Sequence, residues 1–406
     1  MDLQTTPQTA PKNESSAKKS GMLLRGGVDR PMFVIIILLL CFGSVMVFSA
    51  SYAYAYAQYG NSSYFIRKQL FYAGVGVLAM WGISMLPYEL FHKYAVALFA
   101  FSTGLLMAVL IIGTSEDEAK RWLDLKIISF QPSEVSKFAL VLMIAWFAHK
   151  FRANIMKRDG TMNTYWYTFL WGTVYPMLFV GGTCLLVMLE NHLSGTIILF
   201  CIGAACVWVA GGKRIVYIVG LALVALAIYI LLFQPELLKS VLADYQYKRI
   251  DMWLNPEAYD VQDDTWQTVQ GLIAVGSGGI FGRGIGNSLQ KHLFVSQPQN
   301  DFIFAIVCEE LGFIGASALI LLYLVFFVRA LQIAKRAPDV FSSVTVIGIA
   351  SHVMIQALLN MMVVTSILPN TGISLPFFSY GGSSLIFLLI EMGILLSISR
   401  YTRVQT

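Results

Sequence analysis

Long apolar runs separated by short polar segments dominate this chain. A run of about 20 residues is long enough for a helix to cross the hydrocarbon core of a bilayer. The pattern therefore predicts about ten membrane-spanning helices. The runs cover residues 32–51, 69–86, 94–113, 132–149, 166–189, 195–211, 215–233, 302–328, 340–364 and 383–399.

Two polar stretches interrupt this pattern. Residues 1–27 are rich in Thr, Pro, Gln, Ser and Lys and contain almost nothing that a core can bury, which predicts a disordered cytoplasmic tail. Residues 234–300 form one long connection, and connections of such length in compact proteins are usually functional. The predicted organisation is a tail followed by a ten-helix membrane domain, residues 28–406, with one large extracellular loop.

The large loop contains a helical pattern of its own. Trp266, Val269 and Ile273 share one helical face, and Gln267 and Gln270 share another. This arrangement predicts an amphipathic helix that lies at the membrane interface.

Composition supports an all-α, polytopic integral membrane protein. Charged residues make up 13% of the chain and hydrophobic residues 57%, whereas soluble proteins carry roughly 25% charged residues. The cysteines all lie in apolar runs, where thiols are usually inert packing residues.

The distribution of basic residues predicts the orientation. Lys and Arg concentrate in the segments on the side of the N-terminus, whereas the short segments on the other side hold only Arg67, Lys68, Lys120, Arg121 and Lys126. By the positive-inside rule both termini are cytoplasmic. The net charge of +5 thus follows from topology and is not a sign of nucleic-acid binding.

Charged residues at the edges of spans are candidates for chemistry, because charge inside a bilayer is costly. Glu134 and Lys137 share a helix face at the start of the fourth span, where they form either a structural ion pair or part of a substrate cavity. Asp301 lies where the large loop becomes a span. It is either a helix cap or a general base whose pKa is raised by partial dehydration.

Other polar residues lie deeper in the predicted spans. Glu309 and Glu310 are interpreted mainly as partners of neighbouring helices. His352, Gln356 and Asn360 recur every four residues and form a polar stripe, which either joins helices or lines a cavity.

Two glycine-containing segments are irregular. Residues 282–286 with Arg283 form either an anion nest for a pyrophosphate or a set of flexible turns. Residues 369–384 predict non-helical backbone at the outer membrane face, which is tolerated where it lines a wet cavity.

Several motifs, in this order, resemble the SEDS family of bacterial cell-wall proteins (FtsW, RodA and SpoVE), and the resemblance covers nearly all of the spans. The matching segments are Ala119-Lys120-Arg121-Trp122, Gln131-Pro132-Ser133-Glu134 with Lys137, Trp253-Leu254-Asn255-Pro256, Gln267 with Gln270, Gly276-Ser277-Gly278-Gly279, Asp301-Phe302-Ile303-Phe304, Glu309-Glu310-Leu311-Gly312 and Ser379-Tyr380-Gly381-Gly382-Ser383-Ser384.

The resemblance implies a peptidoglycan glycosyltransferase that acts on lipid II in the bacterial cytoplasmic membrane. Its implied partners are a class B penicillin-binding protein and other divisome proteins, and Mg²⁺ or Mn²⁺ is the implied cofactor, with unknown ligands. The implied catalytic residues are Asp301, Glu134 and Lys137. The implied substrate-binding residues are Arg121, Trp122, Gln267, Gln270, Arg283, Ser379 and Ser383.

The chain departs from the family pattern at a few positions. Gln299-Asn300 replaces the usual His-Thr, Trp266-Gln267 replaces Tyr-Gln, and His192-Leu193-Ser194-Gly195-Thr196 stands for Asp-Leu-Gly-Thr. Tyr59-Gly60-Asn61 favours the division and sporulation branch, and hence the septum.

Two other functions remain open at this point. A flippase for the lipid-linked precursor would place its essential residues at mid-bilayer, at Glu309, His352 and Asn360, but no internal repeat of the usual transporter kind is visible. A non-catalytic scaffold would make Asp301 dispensable.

Overall fold

The computed structural model describes residues 23–116, 119–124, 129–157, 161–234, 239, 244–259 and 265–403. Within these residues the chain is a bundle of long helices, and each predicted span falls on one helix or on two joined helices. The helices are α1 (Arg30–Tyr59), α2 (Tyr64–Met85), α3 (Tyr88–Ile112), α4 (Pro132–Lys150), α5 (Arg152–Ile155), α6 (Met162–Phe169), α7 (Tyr175–Leu189), α8 (Leu193–Ala210), α9 (Arg214–Phe233), α10 (Asp244–Leu254), α11 (Trp266–Ser277), α12 (Ile303–Arg336), α13 (Val340–Val364) and α14 (Ser383–Ser399).

Among the described helices, six spans are both long and apolar enough to cross a membrane by themselves, counting Met162–Leu189 as one. Helix α14 is apolar but shorter. The prediction of an all-α, multi-pass membrane protein is confirmed.

Local sequence explains where several helices begin and end. The Asp29 side chain accepts a hydrogen bond from the Met32 amide and caps α1, and Asp339 caps α13 in the same way. Pro132 lies in the first turn of α4, where its missing amide hydrogen costs nothing.

The fifth span is irregular ahead of its proline. A π turn at Leu170–Val174 joins α6 to α7, and Pro176 follows immediately. Pro176 can donate no backbone hydrogen bond, so a wider turn at this point accommodates the gap in the helical ladder.

Both ends of the described chain meet on one face of the bundle. Leu23–Arg25 pairs antiparallel with Tyr401–Arg403, and Asp29 forms an ion pair with Arg329 at 2.7 Å. Residues 1–22 of the predicted tail lie outside the described residues. The last residues of that predicted tail, Leu23–Arg25, form a strand with a segment at the far end of the chain.

The opposite face, which we call the loop face, carries the long loop and a small sheet. The strands Thr114–Glu116, Ala119–Asp124 and Ser129–Phe130 are antiparallel and connect α3 to α4. The sequence pattern did not predict this sheet. Within the long loop, Trp266–Ser277 confirms the predicted helix.

Helix α13 lies at the centre of the bundle. It packs against α4, α8, α12 and α14, and most of its side chains are buried. It leads into residues 366–382, which have no regular secondary structure and which we call the re-entrant segment.

The re-entrant segment reaches deep between the helices. Gly43, near the middle of α1, lies against it so closely that an added Cβ would overlap the carbonyl oxygen of Phe377. The hydroxyl of Tyr323 on α12 donates to the carbonyl of Pro376. Non-helical backbone at membrane depth must be surrounded by protein or by a wet cavity, and these contacts meet that need.

Helix α12 is interrupted at Gly312, whose φ of 64° and ψ of −165° are not helical. The break removes the helical hydrogen bonds that the carbonyls of Glu309 and Glu310 would otherwise accept. A glycine-rich loop replaces them, because the amides of Arg283 and Gly284 donate to these carbonyls at 3.0 and 2.9 Å. In return the amides of Phe313 and Ile314 donate to the carbonyls of Gly279 and Ile280.

The side chains at the break anchor the same loop. Lys291 pairs with Glu310 at 2.9 Å, and both side chains are almost completely buried. Glu310 also accepts from the hydroxyl of Ser49 on α1, and Glu309 accepts from the Leu289 amide at 2.9 Å. Glu309 and Glu310 therefore hold the long loop onto α12 and α1.

We expect Gly43→Ala to destabilise the bundle. The new methyl group would meet buried backbone that cannot move aside, and overpacking of this kind costs about 1–3 kcal/mol. Thermal unfolding in detergent measures the effect. Gly104→Ala in α3 is the control, since nothing lies within 4 Å of its added Cβ; equal melting temperatures for the two variants would contradict close packing at Gly43.

We expect Lys291→Met and Glu310→Met to be destabilising when made singly. Each leaves one buried charge without its partner, and breaking a buried pair typically costs about 3–5 kcal/mol. The double variant removes both charges and should recover much of the lost stability in the same unfolding assay. Additive losses in the double variant would show that the two side chains do not act as a pair.

Candidate functional site

Asp301 lies in the turn that precedes α12 and is partly buried. The N-cap position of α12 is Phe302, so Asp301 precedes the cap, and its carboxylate interacts with its own amide and that of Phe302. Burial raises the pKa of Asp301 to about 6, although the two amides and Arg249 favour the charged form. A carboxyl group with this pKa can exchange a proton near neutral pH.

Side chains from α13 and the re-entrant segment hold the Asp301 turn in place. The Asn360 carboxamide donates to the carbonyl of Asp301 at 2.7 Å and to that of Ile373 at 2.6 Å. The Ser379 hydroxyl donates to the carbonyl of Asn300 at 2.6 Å. The predicted substrate residue Ser379 thus supports the backbone beside Asp301.

Helix α10 brings a cation to this turn. The Trp253 indole donates to the carbonyl of Ser366 at 2.8 Å, which docks α10 on the re-entrant segment. Arg249, on the same helix, lies near the carbonyl of Asn370 and interacts electrostatically with Asp301.

An apolar groove of about 330 Å³ adjoins Asp301. The predicted residue Arg121 and the unpredicted Arg249 both line it, so it is a largely hydrophobic space with two cations. Its rim includes Thr371 and Ile373, and an added Cβ on Gly372 between them would lie 3.8 Å from the Asp301 carboxylate. The full lining is Arg121, Leu193, Ser194, Ile197, Arg249, Ile250, Leu359, Leu368, Pro369, Asn370, Thr371 and Ile373.

Among the described residues, the groups around Arg121 do little to compensate its positive charge. Burial raises the pKa of Glu190 to about 8, with Arg121 opposing the shift, so this carboxyl is mostly neutral at pH 7. Burial, with Arg121 and Lys137 adding repulsion, lowers the pKa of His192 to about 3. The guanidinium donates to the carbonyl of Asn191 at 2.8 Å, and a carbonyl does not cancel its charge.

Glu134 and Lys137 form the predicted ion pair, at 2.7 Å. Lys137 also donates to Gln356 at 2.9 Å, and Gln356 donates to Ser374 of the re-entrant segment at 3.0 Å. Glu134 and Ser379 line one cavity of about 20 Å³, which is room for about one water molecule. The pair is therefore connected to the Asp301 turn through Gln356 and the re-entrant segment.

Two predicted glutamines lie on α11, which packs along α12. Gln267 donates to the carbonyl of Ser296 at 3.2 Å, and Gln270 is buried. Beside Gln270, an added Cβ on Gly271 would lie 2.7 Å from the ring of Phe302. This helix therefore supports the residue next to Asp301.

The remaining predicted residues lie around this site. Trp122 is half-buried in the strand that carries Arg121, and Ser383 is buried at the start of α14, just after the re-entrant segment. Arg283 lies at the break in α12, 3.8 Å from Glu309. Because the amides of Arg283 and Gly284 donate to helix carbonyls, those two amides are not available for the predicted anion nest.

Sequence reasoning missed Arg249, Glu190 and Lys291. Arg249 begins the polar and aromatic part of the long loop, and this position could have indicated it as a site residue. No sequence signal marks Glu190 or Lys291, because the burial of each depends on segments far away in the chain.

Comparisons with known proteins agree with this architecture. The model of the FtsW/RodA/SpoVE family, described as cell cycle protein, matches residues 29–404. The chain is 38% identical to Stage V sporulation protein E of Bacillus subtilis (strain 168), covering 92% of this chain and 98% of that protein. It is 34% identical to the probable peptidoglycan glycosyltransferase FtsW of Geobacter sp. (strain M18), covering 93% and 98%.

Solved structures share the fold. A chain from a study of how a peptidoglycan synthase complex coordinates polymerization and crosslinking has a TM-score of 0.71 and 24% identity, and covers 92% of this chain and 98% of its own length. The rod shape determining protein RodA of Thermus thermophilus has a TM-score of 0.63 and 23% identity, with 93% and 98% covered. With the family model matching nearly the whole described chain, this protein belongs to the FtsW/RodA/SpoVE family of cell cycle proteins.

Proposed function

We propose that this protein is a peptidoglycan glycosyltransferase that polymerises lipid II, with Asp301 as its general base. The observation that carries the proposal is the placement of Asp301, a partly buried carboxyl group with a raised pKa, beside an apolar groove that contains two arginines. Relatives of similar length named as probable peptidoglycan glycosyltransferases support it.

In the proposed step Asp301 accepts the proton that the acceptor sugar loses. The 4-hydroxyl oxygen of the acceptor sugar attacks the anomeric carbon of the donor and loses its proton to the carboxylate. The bond between that carbon and the pyrophosphate oxygen breaks. The oxygen keeps the electron pair, and the pyrophosphate leaves still attached to its lipid carrier. Ionised Asp301 is therefore the active form.

The groove suits the lipid-linked donor. Its apolar walls match a polyprenyl chain, and the guanidinium groups of Arg121 and Arg249 suit a pyrophosphate, because their planar donors bind phosphate oxygens in pairs. Cations placed where charge develops stabilise the departing group. Glu134 and Lys137 act through Gln356, which bonds to the re-entrant segment.

We expect a divalent cation to reach the site bound to the substrate. The described residues contain no group of three or more His, Cys, Asp or Glu side chains that could hold a metal. Arg121 and Arg249 also repel a free cation from the groove. We infer that Mg²⁺ or Mn²⁺, if required, is bound chiefly by the pyrophosphate and would supply further charge neutralisation.

The proposal extends to location and partners. The basic residues favour cytoplasmic termini, which puts the loop face and Asp301 outside the cell. The likeness to a chain of a peptidoglycan synthase complex supports a class B penicillin-binding protein as the transpeptidase partner. The FtsW and SpoVE relatives support a role with divisome proteins at the septum or in sporulation.

Lipid II transport is the weaker candidate. Its support was the set of polar residues inside the spans, but Glu309 anchors the long loop and Asn360 binds the carbonyl of Asp301. Both therefore already have roles that do not require transport.

We expect Asp301→Asn to abolish glycan polymerisation. The carboxamide has a similar shape but cannot accept the proton. Purified protein with its transpeptidase, labelled lipid II and Mg²⁺ or Mn²⁺ would be tested for glycan ladders. Equal ladders from the variant and the wild type would exclude Asp301 as the base, and ladders from neither, beside an active control polymerase, would favour transport.

The pH profile should report the same group. Activity should fall as pH drops below about 6, since protonated Asp301 cannot act as a base.

The raised pKa of Asp301 also affects folding. The folded state loses stability as pH rises from the ordinary Asp value to about 6, because it gives up a proton that the unfolded chain has already lost. Asp301→Asn should therefore unfold at a higher temperature than the wild type at pH 7, whereas a lower melting temperature would contradict the assigned burial.

We expect Asn360→Ala to lower kcat by about tenfold or more with a smaller change in KM, because it frees the carbonyl beside the base while Asn360 itself does not line the groove. Thr365→Ala is the matched control on α13, since its hydroxyl bonds mainly to its own helix. An unchanged kcat in Asn360→Ala would show that the turn does not need this clamp.

A further inference from the structure

A histidine and a glutamate form a pair in the middle of the bundle, outside the proposed reaction. His352 on α13 and Glu391 on α14 are 3% and 1% exposed. The Nδ1 atom of His352 lies 2.8 Å from Oε2 of Glu391, and its Nε2 atom lies 2.9 Å from Oε1 of Gln356. A titratable pair this deep in a membrane protein needs an explanation.

The orientation of Gln356 follows from its other neighbours. Its Nε2 donates to the carbonyl and the hydroxyl of Ser374, each at 3.0 Å, and its Oε1 accepts from Lys137 at 2.9 Å. The flipped carboxamide would turn its NH₂ group toward the Lys137 ammonium and its oxygen toward a carbonyl oxygen. Oε1 therefore faces His352 as an acceptor.

This orientation determines the proton count of the pair. Because Oε1 of Gln356 can only accept, Nε2 of His352 must carry a hydrogen. The contact between Nδ1 and Glu391 also needs a hydrogen, which lies either on Nδ1 of an imidazolium or on the carboxyl oxygen of a neutral acid. In both cases the pair holds one proton more than neutral imidazole plus carboxylate, and its net charge is zero.

Neighbouring charges agree with this count. On α4, Lys137 and Glu134 neutralise each other at 2.7 Å. Helix α8 contains no charged residue, and on α12 Glu309 and Glu310 are held by the long loop. Loss of the shared proton would leave a net negative charge in a low-dielectric interior, together with two acceptor atoms facing each other.

We propose that His352 and Glu391 hold one shared proton and act as a positioning pair for Lys137 and the re-entrant segment. The proton keeps Nε2 of His352 as a fixed donor to Gln356, and Gln356 in turn orients Lys137 and the re-entrant segment through Ser374. The pair touches no substrate in this proposal. The assignment rests on the proposed glycosyltransferase function, and it adds a structural support behind that site.

Three variants separate positioning from packing in the lipid II assay. Glu391→Gln keeps a neutral donor toward Nδ1, so kcat at pH 7 should stay close to the wild type. Glu391→Met leaves Nδ1 without a hydrogen-bond partner and removes what holds that side of the ring, so kcat should fall about tenfold while KM changes little. The double variant His352→Met/Glu391→Met should fold, because both polar partners are gone, yet keep the lowered kcat.

Ser102→Ala, which removes a hydroxyl bonded within α3, is the control for a buried polar change. It should keep the wild-type kcat and KM.

Each result bears on a different claim. Full activity in the double variant would overturn the positioning role, and a loss of kcat in Glu391→Gln as large as in Glu391→Met would overturn the shared proton. Nitrogen NMR of labelled His352 at pH 7 gives a test without activity, and a non-protonated Nε2 would also overturn the assignment. An inactive wild type with a protonated Nε2 would instead count against the proposed glycosyltransferase alone.

Discussion

The carboxamide of Asn360, which bridges the carbonyls of Asp301 and Ile373, is the interaction on which the site depends most directly. The bilayer core offers no water to satisfy backbone groups, so non-helical backbone persists there only where protein supplies partners. The polar stripe on α13 meets this requirement, because Asn360 and Gln356 both bond to the re-entrant segment. One central helix thus holds both the turn of Asp301, the proposed general base, and the segment beside it.

A second solution to the same constraint lies at Gly312. There the helical ladder of α12 opens, and the freed carbonyls and amides pair with the loop around Gly282 instead of with side chains. Buried Glu310 and Lys291 reinforce the junction. The turn that carries Asp301 is therefore followed at once by a half-helix whose far end is also fixed, which restricts where the carboxylate can lie.

The ionised form of Asp301 that the proposed reaction needs is unfavourable for folding. Burial disfavours the charged form of Asp301 and raises its pKa to about 6, so the group is ionised at neutral pH only at the expense of folding free energy. Nearby Arg249 offsets part of that cost. Because burial raises the pKa of Glu190, this carboxyl compensates the charge of Arg121 beside the groove less than an ordinary carboxylate would.

The sequence by itself determined the spans, the predicted orientation and the choice of Asp301, because lipid requires long apolar runs and a carboxylate at the end of a polar loop stands out against them. It also indicated the stripe of His352, Gln356 and Asn360, since helical spacing is local. Only the tertiary structure decided what those residues bind. Arg249 at the groove, the strand at Leu23–Arg25 and the use of the Arg283 amide by α12 all depend on contacts between distant segments. Composition and periodicity describe which face of an element is apolar, but they do not specify which distant partner packs against it.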